Sequence, residues 1–435
     1  MNGNSTTNCI MKLRLLPAFI LLGVSVPCVT QAQFLGGLFG SKHKHKYKHV
    51  QPKPQPKALV KKKQEVTYPE TVRKSRYRID ILASLYLDDL VNDGKLAYKD
   101  KMPDKATSGV AFCQGALLAM DTLKAMGYDM DVFIHDVNTQ SGFPTGLIGN
   151  KQLDTSSLLI GAVGSKDIQD VAAFENRQHI NFVSALSASD ADVKDDKYFT
   201  LLQPSLQQHC AFIKKELQKK NLNDKITLFY RTDAPADDNA YHYLQTKDTT
   251  WSVRKVLCNA IPDKAVLDML FDSATSNVIV MSITDIAYAQ KLLEMLDRNY
   301  PGYRFEVYGM PSWKGMPSIH KTEALENIGI NISAPFYFNQ NSPTGKYLER
   351  SFKAKFNGHT GEMVYRGYET VFWYATLLHK YGTIFNTHVA DNANAPFTKF
   401  SIKPEWDKNL DFLYDQNEHL YLYRYQGGSY MVAEQ

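Results

Sequence analysis

From Arg78 onward, short β-branched runs alternate with amphipathic segments, and the rhythm runs through the chain twice. Arg78 to Leu85 (RIDILASL), Asp131 to Val137, Ser157 to Ala162 and Ile180 to Ser184 read as strands, with a further short one at Tyr198 to Leu202. Gly109 to Met126 carries Cys113, Leu117, Met120 and Leu123 on its apolar side and stops at Gly127, and Asp167 to Gln178 is a second helix. The second pass begins with a helix from Leu206 to Lys220. Strands follow at Lys225 to Tyr230, Trp251 to Cys258, Asn277 to Met281 and Phe305 to Tyr308, with helices near Asp263–Phe271 and Asp285–Arg298. A helix between strands returns the chain to the start of the sheet, so successive strands lie parallel. The pattern predicts an α/β fold of two doubly wound parallel-sheet lobes.

Beyond Ile328 the character changes. Asn331 to Phe338 is extended, Ser342 to Phe356 is helical, and Tyr365 to Tyr381 is a long amphipathic helix. Leu420 to Tyr425 and Ser429 to Val432 form a hairpin around Gly427-Gly428. Tyr421, Tyr423 and Tyr425 share one face, which reads as packing against a neighbour; the alternative is a carbohydrate or peptide platform.

The N-terminus of this 435-residue chain is built differently. Lys12 and Arg14 precede a short apolar stretch from Leu15 to Val26, and Thr30-Gln31-Ala32 offers small residues before a cleavable bond, the layout of a signal peptide over 1–32. Met11 is an alternative start. Residues 33–77 hold 12 Lys or Arg against Glu65 and Glu70, while the whole chain carries only +5, so the folded part is acidic and nucleic acid is not an expected partner. Proline and dense like charge in that segment favour a disordered linker, a basic arm able to contact anionic envelope surfaces. His43, His45 and His49 lie in it without fixed geometry, and no metal is expected. The cysteines left after cleavage, Cys113, Cys210 and Cys258, are too few for a disulfide framework and read as small buried side chains, with one bridge as the alternative. Expected boundaries are 78–202 and 331–400 for the first lobe, 203–330 for the second, and 401–435 for a C-terminal hairpin region completing both.

No H-E-x-x-H, G-x-S-x-G or C-x-x-C occurs, and Gly142–Lys151 lacks the pattern of a phosphate loop. No catalytic residue, cofactor or enzymatic activity is expected. In open parallel sheets, ligands sit at the carboxyl ends of the strands. Those ends carry Tyr86, Ser165, Lys166, Ser187 and Ser189 in the first lobe, and Arg231, Ser282, Asp285 and Trp313 in the second. These are the candidate ligand-binding residues.

Gly109–Asp121 (GVAFCQGALLAMD), Leu158–Ser165 (LLIGAVGS), Asn181–Asp190 (NFVSALSASD) and Tyr365–Tyr381 (YRGYETVFWYATLLHKY), taken in order, resemble the type I periplasmic binding proteins, the branched-chain amino-acid class of ABC-transporter receptors. The resemblance implies a three-crossing hinge, with crossings near Gln203, near Asn331 and in the C-terminal region. It also implies ligand capture between the lobes, with Ser165, Ser187 and Ser189 holding a carboxylate. Receptors of that class use an acidic residue after a late second-lobe strand to grip an ammonium group. This chain has Gly309-Met310-Pro311-Ser312-Trp313 there, leaving Asp285 as the nearby carboxylate. The expected function is an exported, periplasmic solute-binding protein that closes on a small polar or anionic ligand for ABC-type uptake or sensing, with a membrane permease as partner. The alternative is an envelope interaction protein of the same fold that binds a cell-wall component or another protein.

Overall fold

The computed structural model describes residues 63, 65–99, 101–138, 143–220, 226–245, 253–321 and 325–433. The expected signal peptide and most of the basic arm, with its histidines, lie outside the described residues.

The first pass opens on β1 (Tyr77–Ala83), then a one-turn helix α1 (Leu87–Leu90) and a small hairpin, β2 (Val91–Asn92) with β3 (Lys95–Leu96). The long α2 (Asp104–Ala125), β4 (Met130–Asp136), α3 (Thr145–Gly149), β5 (Leu158–Ala162), α4 (Ile168–Gln178), β6 (Asn181–Ser184) and β7 (Phe199–Leu201) follow. The second pass comprises α5 (Leu206–Gln218), β8 (Ile226–Tyr230), α6 (Pro235–Leu244), β9 (Val253–Leu257), α7 (Lys264–Asp268), β10 (Ser276–Met281), α8 (Ile286–Asn299), β11 (Arg304–Gly309) and β12 (Ile328–Ala334). The return comprises α9 (Pro343–Phe356), α10 (Glu362–Tyr381), β13 (Ile402–Trp406), β14 (Phe412–Asn417), β15 (Tyr421–Gln426) and β16 (Ser429–Ala433).

Two seven-stranded sheets result, one per lobe, in the orders β13-β14-β7-β6-β5-β1-β4 and β16-β15-β12-β11-β10-β8-β9. In lobe I every pairing is parallel except that of β13 with β14. In lobe II, β12 to β9 are parallel and the terminal hairpin β15–β16 closes the edge antiparallel. The central strands are apolar on both faces, as strands covered by helices on both sides must be. Leu158 and Ile160 of β5 face one core, and Leu159 faces another across the sheet. Lobe II has its own core, built from α5, α8, the strands of its sheet and Tyr421, Tyr423 and Tyr425, so the tyrosine face packs inward.

The crossings follow from this division. The chain leaves β7 of lobe I after Leu201 and enters α5 of lobe II at Leu206. It returns after Ala334, since Asn331 still pairs with Tyr308 of β11 and Arg424 of β15, so the crossing expected near Asn331 lies a few residues later. The third runs from Asn417 of β14 to Tyr421 of β15, so the C-terminal strands divide between the lobes.

The linker expected to continue to Tyr77 ends sooner. Thr71 Oγ1 donates to the Tyr381 carbonyl (2.8 Å), and Thr383 N–H donates to the Val72 carbonyl (3.0 Å). Lys197 Nζ reaches the Thr67 carbonyl at 2.5 Å. Residues 67–72 thus form a strap on lobe I, because polar groups at the end of α10 supply partners for an otherwise unpaired extended backbone. Helix α6 was not foreseen. Its sequence, PADDNAYHYL, is too polar to show an apolar stripe, although Pro235 at its start and Asp237 and Asp238 in its first turn are helix-start signals.

Candidate functional site

The loops after β1, β5 and β6 carry the first-lobe candidates. Tyr86 adopts a left-handed conformation (φ 56°) because Asp136, at the end of β4, accepts the N–H groups of Leu85, Tyr86 and Leu87 at 3.0, 3.1 and 2.7 Å. Asp136 is therefore spent on holding the loop, while the half-buried Tyr86 ring lies 4.8 Å from the Lys105 ammonium. Ser165 and Lys166 begin a 3-10 turn and are exposed. Ser187 and Ser189 stand in an irregular loop: Ser187 Oγ accepts from Ser189 N–H (3.1 Å) and Ser189 Oγ from Ala191 N–H (3.2 Å). Neither serine caps a helix. Each hydroxyl keeps hydrogen-bonding capacity beyond these local turns.

In lobe II the strand ends are acidic. Arg231, after β8, places Nε 2.9 Å from Asp233 Oδ1 and Nη1 3.4 Å from Asp237 Oδ2, with Asp285 Oδ2 at 4.0 Å. Its guanidinium lies 4.2 Å from the Tyr288 ring centre. Hydrogen bonding to Arg231 holds the Asp233 carboxyl below its ordinary value. One guanidinium faces three carboxylates, so Arg231 is neutralised and the exposed Asp233 and Asp285 make this face suited to a cationic group. Asp285 also caps α8 by accepting from Tyr288 N–H at 3.1 Å.

Ser282 and Trp313, expected at the ligand, are instead fully buried. Ser282 Oγ points to the Phe229 carbonyl (3.5 Å), and Trp313 donates its indole N–H to the Ile283 carbonyl (2.6 Å). The indole folds back over β11 because Gly309 leaves room: a Cβ there would stand 2.1 Å from the ring. Its neighbour Lys314 takes the place facing the other lobe.

Lys314 was not among the candidates. Its Nζ lies 2.9 Å from Glu362 Oε2 at the start of α10, an ion pair from lobe II to lobe I. Glu362 Oε1 also receives Arg366 Nη2 (2.5 Å), and Arg366 Nη1 donates to Gln203 Oε1 (3.2 Å) on the first crossing. Arg366 stacks 4.3 Å from the ring of Phe336 on the second crossing, and Lys314 lies 4.9 Å from the ring of Tyr423, just past the third. This charged group thus touches the first two crossings and the strand that follows the third. Burial would raise the Glu362 carboxyl, but Arg366 and Lys314 more than offset it and hold the group below its ordinary value.

A second polar cluster lies inside lobe I. Asp80 is fully buried and accepts from Arg78 Nε (2.8 Å) and Nη2 (2.7 Å) and from Ser156 Oγ (2.6 Å), while His135 Nε2 lies 2.8 Å away. The carboxylate sits between hydroxyl and imidazole, so Ser156 donates to an acid and has no base to activate it. The cluster is a structural tie. Cys113, Cys210 and Cys258 are free, buried thiols, each pushed up to about 12 chiefly by burial. Among the described residues no group of His, Cys, Asp or Glu is arranged to hold a metal ion, and no helix is long and apolar enough to cross a membrane.

No protein-family model matches the chain, and no curated protein does. Solved structures do. A putative branched-chain amino acid ABC transporter protein from Rhodospirillum rubrum is 11% identical, with a TM-score of 0.58 over 82% of this chain and 99% of that one. An ABC transporter substrate-binding protein from Desulfitobacterium hafniense, in complex with Leu, is 14% identical, with a TM-score of 0.51 over 82% of this chain and all of that one. LpoA from Haemophilus influenzae is 13% identical with a TM-score of 0.51; the match covers 84% of this chain and 60% of that one. Two parallel-sheet lobes with separate cores, three crossings between them, and this likeness along most of the chain together show that the protein has the type I periplasmic binding protein fold.

Proposed function

We propose that the protein is an exported solute-binding protein that captures a small polar or anionic ligand between its lobes by hinge closure, for ABC-type uptake or sensing. The observation that carries this reading is the junction. Each lobe is closed by its own core, and two of the three crossings meet at one charged group rather than at a continuous apolar core. Such a junction lets two rigid bodies rotate at small cost, so a solute touching both favours the closed state. Ser165, Lys166, Ser187, Ser189 and Tyr86 are the lobe I contacts in this reading. Asp233 and Asp285 supply the acidic lobe II contacts, suited to an ammonium group. The substrate-binding protein from Desulfitobacterium hafniense, solved with Leu, supports an amino-acid-like ligand.

A thermal-shift screen of the protein against amino acids, peptides, sugars and muropeptides tests the reading. At least one solute should stabilise it, and Ser165→Ala with Ser189→Ala should weaken that solute's binding. If none stabilises it, the solute-binding reading fails.

A second reading is an envelope interaction protein of the same fold, in which a cell-wall component or another protein takes the place of the transported solute. The likeness to LpoA favours it, as does the burial of Trp313 in a segment with no ammonium-gripping carboxylate. Muropeptides stabilising the protein where free amino acids do not would favour this reading.

A further inference from the structure

Charge at the lobe junction does not balance. Lys314 and Arg366 share one carboxylate, that of Glu362. The other acid close to Arg366 is Glu369, one turn along α10, which is fully buried and spends its oxygens on the N–H groups of Phe397 and Thr398 and on the Thr398 hydroxyl. Burial pushes Glu369 up to about 7, so it offers Arg366 only part of a negative charge near neutrality. Arg366 is 8% exposed, and its Nε has no hydrogen-bond acceptor although it is buried. An unpaired donor of a buried guanidinium carries a full desolvation cost, a place for a missing acceptor. Lys314 and Glu362 keep 24% and 33% of their side-chain surface, so solvent reaches the group from one side.

We propose that Lys314 and Arg366 form an anion receptor at the lobe junction, which takes a carboxylate or phosphate group of the captured solute beside Glu362 or in its place. The proposal rests on the solute-binding reading and moves its anionic anchor from the serine loops of lobe I to the crossings. One cation comes from each lobe, so the receptor is complete only when the segment carrying Lys314 and the start of α10 meet. An anion held by both favours the closed state directly. The donors are charged, and Arg366 is fixed by Gln203 and Phe336, so little ordering remains on binding.

Calorimetry on the full-length exported protein tests this with paired probes: leucine beside leucinamide, succinate beside succinamide, and inorganic phosphate alone. At least one anion should bind where its amide does not. Lys314→Met should weaken that anion by at least about tenfold, because it removes one charged donor. Glu362→Gln should tighten it several-fold by removing the competing carboxylate, an effect a merely structural ion network would not produce. Equal affinity for anion and amide, or an anion unaffected by both variants, overturns the proposal. If a neutral solute binds tightly in that case, the solute-binding reading stands without this anchor. If none of these probes binds, the anchor falls, and the wider thermal-shift screen decides the solute-binding reading.

Discussion

Gly115 of α2 and Gly367 of α10 bring two helix backbones into direct contact. A Cβ on Gly115 would stand 2.0 Å from the Val364 carbonyl oxygen, and one on Gly367 would stand 1.9 Å from that of Phe112. Backbone cannot yield as a flexible side chain can, so either Gly115→Ala or Gly367→Ala must force the helices apart. Each should destabilise the protein by about 3 kcal/mol, the upper range for overpacking a core. Gly149→Ala, where nothing lies within 4 Å, should be close to neutral. Urea denaturation of the three variants decides it, and equal midpoints would refute the contact.

Asp80 is the sole carboxylate of its buried cluster, and burial alone would raise it. Donors from His135, Arg78 and Ser156 more than offset this and hold it below its ordinary value. Asp80→Ala leaves Arg78 Nε and the Ser156 hydroxyl without their acceptor and removes the countercharge of the guanidinium, which keeps only the neutral acceptors Thr155 Oγ1 and the Gln152 carbonyl. The expected loss is about 3–5 kcal/mol, the range for breaking a buried ion pair on one side. A loss near that of a surface substitution would show that the network contributes little.

Much of the fold was legible because its strands are buried on both faces. Ser157–Ala162 and Asn277–Met281 read as strands in the sequence, and the structure has strands at Leu158–Ala162 and Ser276–Met281. The site was less legible, for local reasons. Trp313 follows a strand end and so reads as facing a ligand, but the missing side chain of Gly309 lets the indole turn back into the core. A glycine four residues before a tryptophan was the available signal. Lys314, Glu362 and Arg366 meet only because the crossings bring a 3-10 turn of lobe II against the start of α10. Only the spacing of Glu362 and Arg366, one helical turn apart, hinted at any part of that group.

The strap over residues 67–72 should contribute to stability. Beyond its hydrogen bonds to Tyr381, Thr383 and Lys197, Tyr68 hydrogen-bonds Asp415, a carboxyl that burial pushes up to about 7. A chain beginning at Tyr77 loses these bonds and uncovers Asp415. It should be less stable than one beginning at Glu65 by about 2–4 kcal/mol, at about 1 kcal/mol per bond. Equal melting temperatures for the two chains would show the strap to be dispensable.

On the solute-binding reading, ligand and stability are linked through closure. A solute at about 100 times its dissociation constant should add about 2.7 kcal/mol. Small-angle scattering should show a more compact particle with that solute than without it. Unchanged compactness with a stabilising solute would place binding on a single lobe.

Buried acids give the protein an unusual pH profile. Burial pushes Asp196 up to about 6, and Asp415 and Glu369 up to about 7. Glu175, fully buried with Asp196 beside it, is raised well above its ordinary value by burial first and by that neighbour second. These carboxyls take up protons more readily folded than unfolded. Their contribution is therefore fully present below the ordinary carboxylate values of 3.8 and 4.5, and is lost as pH rises through 6 and 7. Asp80, Glu349 and Glu362 have depressed values, and their contribution is lost only as pH falls through the ordinary range and below. Burial lowers His209 to about 3, which works the other way up to its ordinary value of 6.5. The four raised carboxyls outnumber it, so between about pH 5 and about pH 8 stability should fall as pH rises. Glu369→Gln isolates one member, since an amide oxygen still accepts from the Phe397 and Thr398 N–H groups while its NH2 donates to the Thr398 hydroxyl. Urea midpoints of the variant should change less across this window than those of the native protein, with the gain concentrated at the alkaline end. Parallel profiles for the two proteins would show that Glu369 does not titrate there.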